Sequence, residues 1–322
     1  MTNVLLTSAG RRVSLARFFA AAVRTNGGQL VVADVDGLAP ALWETGKRVH
    51  LPKVSAPGYR ESVLAAVEKH RIDLVVPTID TELIPLSDLA PSLRSLGCVP
   101  LTSARSFLEI CGDKFSTLSR FGEYGVTGPR SWLPTDSTLE VEIPAELIVK
   151  PRNGSASRDV FRVSRESLWE VLPLVSNPII QEMLIGDEIT IDALFSRSGT
   201  LLHYVPRRRI RTLAGESIQG ATLDDAGFFP WLSDVSRAIS SLGGIGPMTI
   251  QGFVTDSGPV LTEVNPRFGG GFPLAHAAGA LYPEWIVEEY EGRPVEPVLG
   301  RYVRGLYMTR FHIERIVKSP LW

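Results

Sequence analysis

The first hundred residues alternate between short apolar runs and helix-patterned stretches, and this alternation limits the fold more than any other feature of the chain. Val4, Leu5 and Leu6 form an apolar run that ends at Ser8-Ala9-Gly10, after which residues 13–23 repeat apolar side chains at helical spacing. A second run, residues 30–33, ends on Asp34 and Asp36. Residues 59–69 are helical in pattern and lead into Leu74-Val75-Val76-Pro77, which ends at Thr78, Asp80 and Glu82. Continuous apolar strands separated by helices predict a parallel sheet covered on both faces. Ligands on such sheets gather at the carboxyl ends of the strands, where Gly10-Arg11-Arg12, Asp34 and Asp80 fall.

After Leu101-Thr102-Ser103 the pattern changes. Residues 106–121 read as one helix carrying Asp113-Lys114, and residues 125–134 as loop with a short strand at Arg130-Ser131-Trp132. From residue 147 onward strands dominate: 147–150, 160–163, 179–181, 188–195, 201–205, 248–254 and 260–264. Helices fit at 165–171, 231–242 and 285–291, and a last strand within 302–311. The expected class is α/β, turning to α+β in the C-terminal part.

At 322 residues the chain exceeds one ordinary core, so two or three packed units sharing a cleft are expected. A formal net charge of -2 argues against nucleic acid as the main partner. No run approaches the roughly 18 apolar residues of a membrane span, and no basic segment followed by a long apolar one opens the chain. The expected location is cytoplasmic. Cys98 and Cys111 are too few for a disulfide framework or a metal cluster, and the five histidines lack metal-ligand spacing. His276 follows the glycine run but reads better as a core or surface histidine.

The chemistry concentrates late, in Thr262-Glu263-Val264-Asn265-Pro266-Arg267-Phe268-Gly269-Gly270-Gly271. Glu263 and Asn265 are two apart, so on a strand both leave the same face. An acid and an amide oxygen together suit a hard cation such as Mg²⁺, which keeps waters and substrate phosphates as further ligands. Arg267 adds a planar fork for a phosphate, and the glycines expose bare backbone.

Lys150 ends an apolar strand and can project its ammonium into a cleft, with Lys114 as a second point charge. The small-residue loop Asn153-Gly154-Ser155-Ala156-Ser157-Arg158 lets backbone N–H groups approach phosphate, or is a plain hairpin turn. At Gln181-Glu182-Met183-Leu184 an apolar strand breaks into a hinge that can offer main-chain hydrogen bonds to an adenine edge. Met183 and Leu184 would pack on the ring and Glu188 would accept from ribose; a hairpin with a solvated acid is the alternative. Arg207, Arg209 and Arg211 share a face if the strand is regular, either for a phosphate or as a solvated edge. Arg209 and Arg211 are the better candidates. Arg11 and Arg12 at a helix start suit a substrate carboxylate or an ion pair to Asp34 or Asp80.

Asp113-Lys114, Val149-Lys150-Pro151, the small-residue loop, Gln181-Glu182-Met183-Leu184 with Glu188, Gln251, and Glu263-Val264-Asn265-Pro266-Arg267 resemble, in order and spacing, the ATP-grasp superfamily. Within it the chain is similar to the carbamoyl-phosphate-synthase large-subunit-like and pyrrolysine-pathway-ligase-like branches. The resemblance covers residues 106–280 well and the first hundred more loosely. It implies a parallel α/β pre-ATP-grasp domain over residues 1–105 and an ATP-grasp domain over 106–322. The latter would divide into a lid subdomain at roughly 118–183 and an antiparallel-sheet lobe at roughly 184–322.

The resemblance also implies roles. Lys114 and Lys150 bind the phosphates and the adenine side of the pocket, and Gly154, Ser155 and Ser157 close over the phosphates. Gln181, Glu182 and Leu184 read adenine, with Met183 packing on the ring, and Glu188 holds ribose. Gln251, Glu263 and Asn265 hold Mg²⁺, or Mn²⁺ in its place. Arg267, with Arg209 or Arg211, serves the transferred phosphoryl group. Arg11, Arg12, Asp80 and Gly270 are left for the substrate. The implied activity is an ATP-dependent ligase joining a small-molecule carboxylate to an amine, with no nucleic acid or membrane partner and a homodimer as one assembly. The alternatives are an enzyme forming carboxyphosphate or carbamoyl phosphate, or a non-catalytic nucleotide-binding module. Two departures stand out: the lid loop has a single glycine, and Gln251 stands where many relatives place an acid, as the carbamoyl-phosphate branch also does.

Overall fold

The computed structural model describes residues 1–136, 143–154, 159–213 and 216–322. The chain opens with β1 (Val4–Thr7), α1 (Val13–Arg24), β2 (Leu30–Asp34), β3 (Lys47–His50), α2 (Tyr59–His70), β4 (Leu74–Pro77), α3 (Leu83–Ser95) and β5 (Val99–Pro100). The five strands make one parallel sheet in the order β3-β2-β1-β4-β5. Alternate side chains enter different cores: Val4, Leu6, Val32 and Val76 join Leu15 and Phe19 of α1. Leu5, Val31 and Val75 join Tyr59 and Val63 of α2 and Leu86, Leu89 and Leu93 of α3. Helices therefore cover both faces, as apolar strands require. The chain order reverses between β1 and β4, which puts a crevice at their carboxyl ends.

The single helix expected at 106–121 is two, α4 (Arg105–Cys111) and α5 (Lys114–Gly122). Asp113 divides them because its carboxylate Oδ1 accepts from the N–H groups of Phe115 and Ser116, at 2.9 and 3.3 Å, and caps α5. Next come β6 (Ser131–Trp132), β7 (Glu146–Pro151), β8 (Phe161–Ser164), the one-turn α6 (Leu168–Val171) and β9 (Pro178–Glu182). These strands form an antiparallel sheet ordered β6-β9-β7-β8 over a small core of Trp132, Leu147, Val149, Val163, Leu168 and Ile180.

The remainder is β10 (Asp187–Phe195), β11 (Leu201–Leu213), β12 (Glu216–Thr222), α7 (Phe229–Ser241), β13 (Gly246–Thr255), β14 (Gly258–Asn265), α8 (Phe272–Ala277), α9 (Tyr282–Tyr290) and β15 (Tyr307–Thr309). Its sheet is antiparallel in the order β14-β13-β10-β11-β12-β15, with the last strand forming an edge. Cross-strand register puts Ile189, Ile191, Ala193, Tyr204, Pro206, Met248, Ile250 and Val264 on one face. That face packs on α7, whose Trp231, Leu232, Val235 and Ile239 complete the core. The opposite face carries Glu188, Thr190, Asp192, Arg207, Thr249, Gln251, Glu263 and Asn265. Two-residue periodicity thus separates a dry core from a polar floor.

Candidate functional site

The floor is anchored by Arg207 and Asp192, which meet diagonally across β11 and β10. Their Nε–Oδ2 distance is 2.7 Å and each side chain is 3% exposed. The pair lies directly beneath the glycine run. A Cβ added to Gly271 would sit 2.4 Å from Arg207 Cζ, and one added to Gly269 would sit 2.9 Å from Asp192 Oδ1. Only bare backbone fits over a buried ion pair at that range. Asp192 Oδ1, Arg207 Nη1, Arg209 Nε and Thr190 Oγ1 are buried without hydrogen-bond partners among the described residues.

Arg209 reaches Glu188 across the strands and pairs with it. Arg211 does not follow onto that face. Arg209 registers with Gly220 and Arg211 with the adjacent Gln219, leaving Ile210 as the extra residue of a bulge. The regular strand that would align three arginines is interrupted, and Arg211 is exposed.

Glu263 and Asn265 lie across β13 from Gln251 and Thr249 respectively. The three candidate metal ligands therefore share the floor. Among the described residues no group of three or more His, Cys, Asp or Glu gathers to hold a metal. One carboxylate with two amides would need waters or phosphate oxygens to complete a shell, which fits Mg²⁺. Arg267 follows across Pro266. Its Nη2 lies 2.8 Å from Asp80 Oδ2 and 3.4 Å from Asn265 Oδ1.

Lys150 approaches from β7. Desolvation lowers its ammonium to about 8, with Lys114 pushing the same way and the carboxylates of Glu263 and Glu188 opposing. Three expected site residues, each from a different element, thus act on Lys150. Lys114 Nζ donates to Gly154 O at 2.9 Å, tying α5 to the end of β7. Arg152 braces the same junction. It pairs with Asp113, while its carbonyl accepts from the Lys114 N–H at 3.0 Å. Burial works to raise the Asp113 carboxyl, but Arg152 and the two capping N–H groups hold it below its ordinary value. Gly154 has φ +107, and a Cβ added to it would meet none of the described residues within 4 Å, whereas Ser155 and Ser157 lie outside the described residues.

At the hinge, Gln181 is buried and its amide donates to Ser131 Oγ at 2.9 Å. The Glu182 carboxylate accepts from the Arg130 N–H and Nε at 2.9 and 2.8 Å. Both side chains are committed within the small sheet, so the donors and acceptors the hinge leaves over are those of its backbone. The Met183 N–H donates to Glu146 O at 3.3 Å, while the Leu184 N–H donates to none of the described residues. Gly186, at φ +153, starts β10 so close to β13 that a Cβ would meet Val254 O at 2.2 Å.

The parallel sheet meets this region where Asp80, just beyond the carboxyl end of β4, pairs with Arg267. Glu82, fully buried at the end of β4, accepts from Thr7 Oγ1, Ser8 Oγ and Tyr59 OH at 2.8, 2.7 and 2.9 Å. Burial raises its carboxyl, against the pull of these hydroxyls. The network holds Ser8 at φ +46, an uncommon conformation for a side-chain-bearing residue. Asp34 accepts from the N–H groups of Gly10 and Asp36 at 2.6 and 2.9 Å. Arg11 is exposed and Arg12 half-buried at the start of α1. Cys111, at the end of α4, has its thiol pushed well up by burial and then by the carboxylates of Glu263 and Asp80. His276 stacks on Phe18 at 3.6 Å between ring centroids, a packing role.

The expectations drawn from sequence passed over Arg152 and Asp192. Arg152 sits beside Lys150 and could have been found as the partner of Asp113. Asp192 gives no signal in a single strand, because its partner arrives only when β11 pairs with β10.

Residues 4–101 match the family model described as PylC-like, N-terminal domain, and residues 111–271 match the ATP-grasp domain model. A D-alanine--D-alanine ligase of Corynebacterium diphtheriae is 28% identical over 204 residues, covering 55% of this chain and 56% of the relative. The chain thus spans about half the length of the curated relatives it matches. Among solved structures, the biotin carboxylase domain of Hydrogenobacter thermophilus 2-oxoglutarate carboxylase superposes with a TM-score of 0.77 at 13% identity, over 94% of this chain and 73% of that one. The L-amino acid ligase of Bacillus licheniformis superposes with a TM-score of 0.68 at 18% identity, over 90% and 74%. At these identities the likeness is one of fold.

Proposed function

The chain belongs to the ATP-grasp family, and from that premise we propose that it is an ATP- and Mg²⁺-dependent ligase joining a carboxylate to an amine. A carboxylate oxygen attacks the γ-phosphorus of ATP, the bond to ADP breaks, and an acyl phosphate forms. The amine nitrogen then attacks the acyl carbon, inorganic phosphate leaves with the former carboxylate oxygen, and the nitrogen loses a proton. The first step asks little covalent help from the protein, and positioning with charge neutralisation suffices.

The observation that carries this reading is the convergence on Lys150 of Glu263, Lys114 and Glu188. Lysines and metal-type oxygens within electrostatic reach of one another suit a metal-bound triphosphate. In this assignment Lys114 and Lys150 hold phosphates, and Gly154, with Ser155 and Ser157, forms the lid. Leu184 offers its N–H to adenine; Gln181 and Glu182 shape the hinge that presents it, and Met183 packs beside it. Glu188, braced by Arg209, faces ribose. Gln251, Glu263 and Asn265 would hold Mg²⁺ or Mn²⁺, which when bound neutralises phosphate charge. Arg267 serves the transferred phosphoryl; Arg209, committed to Glu188, is a secondary member of the set, and Arg211, exposed beyond the bulge, is the weakest. Arg11, Arg12, Asp80 and Gly270 line the substrate side.

The domain limits at residues 1–105 and 106–322 belong to the same proposal, as do a cytoplasmic location and homodimeric assembly. No described helix is long and apolar enough to cross a membrane. Ligase chemistry in the curated relative named above supports the choice over phosphorylation alone. The test is an ADP-release screen of carboxylic acids crossed with amines, followed by mass analysis. ADP formed in step with an amide is the expected result. ADP accompanied by a phosphorylated product, with no amide from any pair, would overturn it.

A further inference from the structure

Arg267 is the arginine placed to serve the transferred phosphoryl group, yet its guanidinium is already engaged. Nη2 lies 2.8 Å from Asp80 Oδ2, in an ion pair whose side chains are 13% and 31% exposed. The two partners follow strands of different sheets. Asp80 stands at the carboxyl end of β4, beside the crevice where the parallel sheet reverses its strand order. Arg267 stands one proline beyond the metal-type ligand Asn265, and the same Nη2 lies 3.4 Å from Asn265 Oδ1. Asp80 also lies near Glu263: the Cys111 thiol, raised first by burial, is raised further by both carboxylates. An arginine neutralised by a carboxylate is a poor stabiliser of charge developing on phosphate, because both draw on the same donors. A partly exposed acid so close to the centre repels a carboxylate and attracts a cation.

We propose that Asp80 is the recognition group for the amine substrate, taken as an ammonium, and that its occupation by this cation releases Arg267 to the phosphoryl group. This deepens the ligase reading and rests on it. The exchange breaks one ion pair and forms another, so the cation entering Asp80 needs only comparable affinity to shift the balance. Phosphoryl transfer is thereby tied to the presence of the acceptor, and ATP is not consumed while the amine pocket is empty. The substrate class follows: an amine that binds protonated, with its ammonium within hydrogen-bond reach of a single carboxylate, and that gives up one proton, with the Asp80 carboxylate as the acceptor at hand, before its nitrogen attacks, rather than a neutral amide.

The test needs no turnover, so it fails separately from the ligase assignment. The full chain is labelled with phenylglyoxal, and modification of Arg267 is read by peptide mass in methylammonium chloride and in sodium chloride of equal concentration. The wild type should show a several-fold rise in Arg267 labelling with methylammonium. Asp80→Asn should be labelled to the higher level in both salts, and Asp80→Glu, which keeps the charge, should restore protection and response. Equal labelling of the wild type in the two salts, or protection of Arg267 that persists in Asp80→Asn, overturns the proposal. Failure of the ADP-release screen to yield an amide would remove the ligase reading while leaving the exchange itself measurable.

Discussion

Arg207 and Asp192 form an ion pair 2.7 Å long with each side chain 3% exposed, and the glycine run rests on it. Removing one partner leaves the other as an uncompensated buried charge. Arg207→Met should therefore cost about 3–5 kcal/mol, whereas Arg207→Met with Asp192→Leu should recover most of the loss. Chemical unfolding of the three proteins checks this, and a double variant no more stable than the single one would contradict it.

Glu263 is the one carboxylate among the three candidate metal ligands. Glu263→Gln keeps shape and hydrogen bonding but removes the charge. ADP release should fall by about a hundredfold or more while ATP affinity falls much less, since the adenine contacts are elsewhere. Calorimetric titration with ATP beside a steady-state assay separates the two, and full turnover in the variant would discard the metal assignment.

The Lys150 ammonium, lowered to about 8 by desolvation, makes nucleotide binding depend on pH. The protonated form binds phosphate. Apparent ATP affinity should hold below that value and weaken above it, by at most about tenfold per pH unit. Lys150→Arg should flatten the profile, because a guanidinium stays charged. For the free protein the sign is opposite. The unfolded chain holds more protons at this group between about 8 and its ordinary 10.5, so its contribution to stability rises with pH across that window. A pH-independent ATP affinity from 7 to 9.5, roughly the span bracketing that value, would contradict the desolvated-lysine account.

Asp113 caps α5 and pairs with Arg152, which braces the strand bearing Lys150. Asp113→Ala should lower stability by about 1–2 kcal/mol, the scale of a lost N-cap. ATP affinity should drop as well, because Lys114 heads the same helix. Asp113→Asn keeps the cap and should lose less of both, with thermal unfolding and ATP titration as the readouts. Identical losses in the two variants would remove the cap from the explanation.

Much of the fold was legible in the chain. Apolar runs at residues 4–6, 30–33 and 74–77, each followed by a helical pattern or a turn, required a parallel sheet covered on both faces, and this is what forms. Period-two spacing likewise put Glu263 and Asn265 on one face of β14. The helix expected at 106–121 broke at Asp113, because an N-capping carboxylate competes locally with helix continuation. β12 carries too few apolar residues to register as a strand, and it forms because β11 and β15 supply its hydrogen bonds.

Periodicity and residue chemistry, being local, were enough to fix which side chains share a face and which segments end in polar groups. They set the strand–helix order, the polar floor of the late sheet and the order of its cations and acids. Tertiary structure alone decided the partners. It paired Arg207 with Asp192, Arg209 with Glu188 and Arg267 with Asp80, and the bulge at Ile210 turned Arg211 away. The reason is physical. An ion pair depends on a separation of a few ångströms between groups up to 187 residues apart in the chain, and that distance exists only once sheet register and lobe packing have been set.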